Sequence, residues 1–354
     1  MATAELDYRL IPGFPERARS FPQIRFMGSK YRLLPWIYEV LATIQFETAL
    51  DAFSGSGCVS YLMKCMGKQV FSNDLMNFSS TIARALIENP GKRLEDEEIE
   101  LLLSYDPKHK HFIANTFTGI FFSVEDLRFL DQVWCNIPKL GDSHKEAIAI
   151  SALVRSCAKR QPRGVFTVAG DPERYKDGRR DLQLSLREHF VEHIDAYNRA
   201  SFDNHLMNRS TKGDIFTLEA PKIDLVYMDP PYVPRSDDNC YIKRYHFLEG
   251  VSSYWQGVEI LAHSKVKKLK KPFTPFSYRR TALDAFDRMF AKFSESILIL
   301  SYSSNGFPDL KLLVDIMHRY KRDVCVYEKD HRYHFGTHVS AERNNVQEYL
   351  IVGT

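Results

Sequence analysis

Apolar positions along the chain recur in two periods, and the switching between them predicts an α/β fold. Leu33, Leu34, Ile37, Leu41 and Ile44 share one helical face between Tyr31 and about Ile44, with Pro35 admissible only in a first turn. Thr48 to Asp51 reads as a short strand ending at a glycine-containing loop, Val59 to Met66 as a helix and Gln69 to Ser72 as the next strand. That sequence of elements is the unit of a parallel sheet. A helical stretch from Phe78 to Glu88 ends at Asn89-Pro90-Gly91. The acidic run Glu95 to Glu100 is the wet side of a helix whose apolar side is Ile99, Leu102 and Leu103.

From about 90 to 205 the pattern is helical with loops and carries no strong strand, which predicts an inserted, mostly helical subdomain. Strands return at Ile223 to Met228, Ile297 to Tyr302, Asp323 to Tyr327 and Gln347 to Val352. Residues 1–89 and 206–354 therefore build one mixed, mainly parallel sheet, interrupted by the insertion. Pro12, Pro15 and Pro22 make the first 24 residues an irregular arm.

A length of 354 residues suits about two domains, or one with a large insertion, at roughly 150 residues per domain. No apolar stretch approaches the roughly 20 residues of a membrane span, and Glu5 and Asp7 stand where a secretory signal needs basic and apolar residues. Six scattered cysteines without a C-x-x-C pair read as a reducing cytoplasm and no structural zinc. The net charge of +3 is too small to announce a nucleic-acid partner, so the placement of charge has to carry that argument.

Three acidic strand ends carry the chemistry. Asp229-Pro230-Pro231-Tyr232 follows Leu225-Val226-Tyr227-Met228, and two prolines force the strand to stop in a rigid loop at its carboxyl end, where ligands of open α/β sheets bind. A carboxylate and a backbone carbonyl, from Asp229 and Pro230, suit an exocyclic base amine, whose delocalised lone pair must be redirected before it attacks an electrophile. Tyr232 offers a flat face to a base rotated out of a duplex. Asp51-Ala52-Phe53-Ser54-Gly55-Ser56-Gly57 closes the first sheet strand with glycines that let backbone approach a ligand, ahead of a helix N-terminus. An acid there suits a cation such as an α-amino group. Asp74 lies roughly 20 residues past the loop start, the separation at which an acid reaches ribose hydroxyls. Asp214 sits one connection before Asp229 and is a candidate contact for an adenine amino group. Taken singly, a capping role fits Asp74 and Asp214 as well, and Lys30 reads as an ordinary solvated lysine before a helix.

Together these residues resemble the DNA adenine methylase (Dam-like) family of S-adenosylmethionine-dependent methyltransferases, along most of the chain. Phe26-Met27-Gly28-Ser29-Lys30 is similar to the family's opening segment, Phe53 to Gly57 to its F-x-G-x-G loop, Asp74 to its ribose-binding acid and Asp229 to Tyr232 to its D-P-P-Y motif. Tyr245-His246-Phe247 is similar to the aromatic-histidine stretch that follows. The departures are Phe26 where tryptophan is usual, Ser29 where a second glycine is common, and an N-terminal arm that precedes the segment. The resemblance implies a Rossmann-like seven-stranded methyltransferase sheet and a cofactor site lined by Phe26, Lys30, Asp51, Asp74 and Asp229. It further implies methylation of adenine-N6 in double-stranded DNA with no metal, and a cognate restriction endonuclease as a candidate partner. An RNA adenine methyltransferase, a DNA cytosine-N4 methyltransferase or a non-enzymatic nucleic-acid-binding module would share parts of the pattern.

Between Arg155 and Arg187, nine basic residues against four acidic ones leave a local charge of +5. Arg160 and Arg163 there are candidates for paired contacts to guanine edges or phosphates, and Lys267 and Lys268, within a lysine cluster flanked by Pro272 and Pro275, for phosphate contacts. A solvated face accounts for a lysine cluster equally well.

Overall fold

The four residues Leu225–Met228 are all buried, as expected of a strand with neighbours on both sides and helices on both faces. They belong to a computed structural model that describes residues 11–162, 164–169, 178–233, 241–332 and 345–354. Its strands are β1 (Thr48–Asp51), β2 (Gln69–Asp74), β3 (Arg209–Lys212), β4 (Leu225–Met228), β5 (Ile297–Ser303), β6 (Val324–Arg332) and β7 (Asn345–Gly353). They form one sheet in the order β3-β2-β1-β4-β5-β7-β6. The first five are parallel, and β7 runs antiparallel to both of its neighbours. This is the mixed seven-stranded sheet expected above.

The strand order reverses between β1 and β4, where Asp51 is in register with Tyr227. From β1 the chain winds outward through β2 to β3; from β4 it winds the other way. Crossovers that leave on opposite sides open a crevice at the carboxyl ends of those two strands.

Helices α1 (Leu34–Leu41), α2 (Cys58–Cys65) and α3 (Asn77–Ala83) accompany the first strands, and α10 (Tyr241–Ser253), α11 (Arg279–Lys292) and α12 (Leu310–Met317) the later ones. Between them lie α4 (Asp96–Leu103), α5 (Phe112–Phe117), α6 (Val124–Asn136), α7 (Ser143–Arg160), α8 (Arg180–Gln183) and α9 (Leu186–Ala200). Successive strand side chains point to opposite faces. Accordingly Ala49, Leu225, Tyr227 and Ile299 join one apolar cluster, and Leu50, Val226, Met228 and Leu298 join a second under α11 and α12.

The described residues of 90–205 form helices joined by loops, with no strand among them. Their core is continuous with that of the sheet. Ile148, Ala152 and Leu153 of α7 share one cluster with Leu34, Val70 and Phe78, and α7 packs on α3 and α10 as well as on α9. Where the insertion begins, the buried Lys64 ammonium donates to the carbonyls of Leu86 (2.9 Å) and Asn89 (2.8 Å), ending the wide turn Arg84–Glu88 that follows α3.

One expectation is corrected and one strand was unforeseen. The strand expected to stop at Ser72 continues to Asp74, and β3 carries no apolar signal. Arg209-Ser-Thr-Lys212 is an edge strand with one sheet neighbour, β2, so only Ser210 needs to be buried. The N-terminal arm is tethered where described: Phe14, Ala18, Phe21 and Ile24 are buried about the short helix Glu16–Ser20.

Candidate active site

β1 delivers Asp51 into the crevice 1% exposed. Its Oδ2 accepts from Ser60 Oγ of α2 at 2.6 Å, whereas its Oδ1 is buried without a hydrogen-bond partner. Burial pushes the Asp51 carboxyl up to about 7; the Ser60 bond opposes this, and the charges of Asp229 and Asp74 add to it. A buried carboxylate oxygen with no donor is costly unless a ligand supplies one.

The glycine loop is pinned from β2. Asp74 Oδ2 accepts the Gly55 amide at 2.8 Å and Oδ1 accepts the Met76 amide at 2.8 Å. Burial pushes the Asp74 carboxyl up to about 6 against those two bonds. Gly55 is at φ +50°, and a Cβ there would stand 2.9 Å from the Phe26 ring, so glycine is required on both counts. Gly57, at φ +82°, is the residue from which α2 starts. Phe26 stacks on Tyr245 (5.3 Å, 10°) and Tyr241 (5.4 Å, 27°), and thereby joins the N-terminal segment to α10.

Asp229 leaves β4 next to Asp51. Both of its carboxylate oxygens accept from Lys30 Nζ at 2.8 Å, and the same ammonium reaches the Gly28 carbonyl at 3.3 Å. Lys30 is only 4% exposed, so the solvated reading of this lysine is excluded. Burial raises the Asp229 carboxyl, the Lys30 charge and hydrogen bond lower it, and the charge of Glu348 on β7 raises it. Pro230 is buried, and half-buried Tyr232 meets Tyr302 edge-on at 5.2 Å.

One cavity of about 620 Å³ takes in Phe26, Lys30, Asp51, Asp74 and Asp229, with Phe53 and Gly55 in its wall. Asp214 is also on its wall but exposed, and its Oδ1 accepts the Phe216 amide at 3.0 Å within a turn that begins no helix. Sequence reasoning missed the aromatic residues in a further part of the wall. There Phe276 stacks on Phe216 (5.6 Å, 10°) and meets Phe53 edge-on (5.3 Å), and Phe273 and Lys271 also line the cavity. The signal was the aromatic spacing from Phe273 to Tyr278, masked by the lysines before it.

The basic candidates lie elsewhere. Arg160 Nε donates to Asp126 at 3.3 Å and its guanidinium also bonds the Leu182 carbonyl, so it ties α7 to α6 and α8. Arg163 lies outside the described residues. Lys267, at φ +54°, and Lys268, whose amide donates to Ser264 Oγ at 3.1 Å, form a half-buried turn and are absent from the cavity wall.

No helix among the described residues is long and apolar enough to cross a membrane. A family model described as "D12 class N6 adenine-specific DNA methyltransferase" matches residues 26–297, from Phe26 to the first residue of β5. The type II methyltransferase M2.HphI of Haemophilus parahaemolyticus is 30% identical over 88% of this chain and 92% of its own length. The modification methylase LlaI of Lactococcus lactis subsp. lactis is 25% identical over 93% of this chain, and the type II methyltransferase M.FokI of Planomicrobium okeanokoites 26% over 92%. The match spans about half the length of each of these last two, 54% and 52%. With the acidic strand ends and the D-P-P-Y loop gathered at one crevice, the chain belongs to the D12 class of N6 adenine-specific DNA methyltransferases and is a site-specific adenine methylase.

Proposed function

We propose that the chain takes S-adenosylmethionine as methyl donor and modifies an adenine rotated out of double-stranded DNA, in the cytoplasm and beside a companion restriction endonuclease. The observation that carries this reading is the unpartnered Oδ1 of Asp51, buried at the end of the strand next to Asp229. It fits the α-amino cation of such a cofactor, and Asp74 keeps acceptor capacity for ribose hydroxyls beyond its two backbone bonds. Phe53 and the Gly55 to Gly57 backbone would flank the same ligand. When bound, the cofactor supplies an electrophilic methyl group on a positively charged sulfur.

The protein's share is to present the nucleophile. Asp229 and the Pro230 carbonyl each accept one hydrogen of the adenine amine, which turns its lone pair away from the ring and toward the methyl. Tyr232 stacks on the extruded base. Residues 90–205 read the target sequence, with Arg163 and its neighbours as the contacting segment and Arg160 as its internal support. Lys267 and Lys268 meet phosphates.

The test is transfer of labelled methyl groups to duplex DNA, to matched single strands and to matched RNA. The wild-type chain is expected to label duplex DNA at adenine-N6. Asp229→Ala should lower the rate more than about a hundredfold, while calorimetry still detects cofactor binding and circular dichroism is unchanged. Label on RNA in preference to duplex DNA, or wild-type-like turnover of the variant, would overturn the reading.

A further inference from the structure

We infer that Lys30 is a positioning residue for methyl transfer: its ammonium holds both oxygens of Asp229 and yields one of them to the target amine when the base enters. This rests on the proposed role of Asp229. The assignment departs from the cofactor contact that family resemblance implies for this lysine, and it comes from the geometry of the pair.

Lys30 Nζ has three hydrogens. Two meet Asp229 at 2.8 Å and the third direction leads to the Gly28 carbonyl at 3.3 Å. Gly28, at φ +76°, and Ser29, whose side chain caps the short helix Lys30–Leu33, fix the backbone from which the lysine reaches across. The side chain is thus aimed at the β4 loop by its own turn. A proton on Asp229 would turn one of its two acceptor oxygens into a donor, so serving Lys30 and the amine together requires the carboxylate, yet burial favours the protonated form. Among the described residues, the neighbours facing it are Lys30, Glu348 from β7, Asp51 from β1, Tyr227 from β4 and Tyr241 from α10. The two tyrosine hydroxyls are pushed far above their ordinary range by burial and stay neutral, and the two acids are negative or neutral. Lys30 is therefore the cation in this set that keeps Asp229 ionised.

The bond to Lys30 also explains how the carboxylate stays aimed while no base is present. A carboxylate has acceptor sites to spare, so the amine can take one oxygen while the ammonium slides onto the other. No proton has to move for that exchange.

The experiment uses the full chain with Lys30→Met, Lys30→Arg and Glu348→Gln, at saturating cofactor so that ionisation of Asp51 does not enter. Single-turnover methyl transfer is followed from pH 5 to 9, with calorimetric cofactor binding and the fluorescence of 2-aminopurine at the target position read separately. For Lys30→Met the rate at pH 7 should fall more than a hundredfold. Its acid limb should move upward by at least one pH unit, with cofactor binding and base extrusion within about threefold of wild type. Lys30→Arg should restore the limb toward the wild-type position, and Glu348→Gln should move it downward, which keeps the test informative if Lys30→Met folds poorly. A rate loss with an unmoved limb, or a loss confined to cofactor affinity, overturns the role. Failure of the wild-type chain to methylate duplex adenine would instead defeat the proposed function, which separates the two outcomes.

Discussion

Burial makes Asp51 keep its proton to higher pH in the folded chain than in the unfolded one. Its carboxyl sits near 7 in the fold and near 3.8 in the unfolded chain. An acid raised in this way supports the fold while protonated, and the support is lost as pH climbs through the folded value. A span of that size corresponds to something on the order of 4 kcal/mol. Asp51→Asn, without the charge, should therefore show a flatter melting temperature between pH 5 and pH 8 than the wild type, measured without ligand. The same variant should bind the proposed cofactor more than tenfold more weakly at pH 8, and the two differ least at pH 5, where position 51 is neutral in both. Equal pH slopes for the two proteins would show that Asp51 is not the titrating group. The acids at this site were legible in the sequence because each ends a strand, and strand ends can be located one at a time. The partner of Asp229 was not, because Lys30 lies 199 positions away and only the sheet brings them together.

At the scale of elements, α10 does the most joining. It departs from helical geometry at Tyr245 (φ −114°, ψ 15°), which frees the Arg244 carbonyl to accept the Phe166 amide at 2.8 Å. Tyr245 Oη accepts the Met27 amide at 2.7 Å, and His246 Nε2 lies 2.7 Å from the Phe166 carbonyl. Burial lowers the His246 imidazole to about 4, so at neutral pH it is uncharged and donates that bond. One kink thus fastens the Phe26 segment and the stretch after α7 that carries Phe166 to the helix that follows D-P-P-Y. Below it, Gly250 leaves room for Trp255: a Cβ there would stand 2.1 Å from the indole ring. Gly250→Ala should cost about 3 kcal/mol through overpacking, read as a lowered midpoint of denaturant unfolding with an unchanged slope. An unchanged midpoint would mean the indole has another place to go. Most strands and helices were legible because a half-buried element repeats its apolar positions. β3 was not, since an edge strand of Arg, Ser, Thr and Lys is held by backbone pairing and by Glu88, which accepts the Ser210 amide at 2.7 Å. The kink was equally silent, because tertiary partners make it rather than a proline or glycine.

For the whole molecule, charge that clusters in the sequence separates into two kinds in the fold. Arg160 is spent internally, so Arg160→Ala should lower the melting temperature along with specific binding. Lys267 and Lys268 sit on a half-buried turn, and if they meet phosphates, replacing both by alanine should weaken binding to methylatable and scrambled duplexes alike. It should also reduce the salt slope by about one unit for each phosphate no longer neutralised. A salt series on the two duplexes reads both, and sequence-dependent weakening by the lysine changes would assign them to base recognition instead. Composition supplied the sites of positive charge but not their pairing, since Asp126 and the Leu182 carbonyl reach Arg160 only through the packing of three helices.

The apolar cluster that runs unbroken from the sheet into α7 makes the insertion a poor cassette. A transplanted segment 90–205 from a relative about 25% identical would carry its own ridges and hollows. They would meet a foreign surface at Leu34, Val70 and Phe78, where mismatched volumes cost several kcal/mol in voids and clashes. If residues 90–205 read the target as proposed, a chain of this design would diversify its target preference residue by residue at the rims of those helices, and chimaeras would need the facing half of the core exchanged along with the graft.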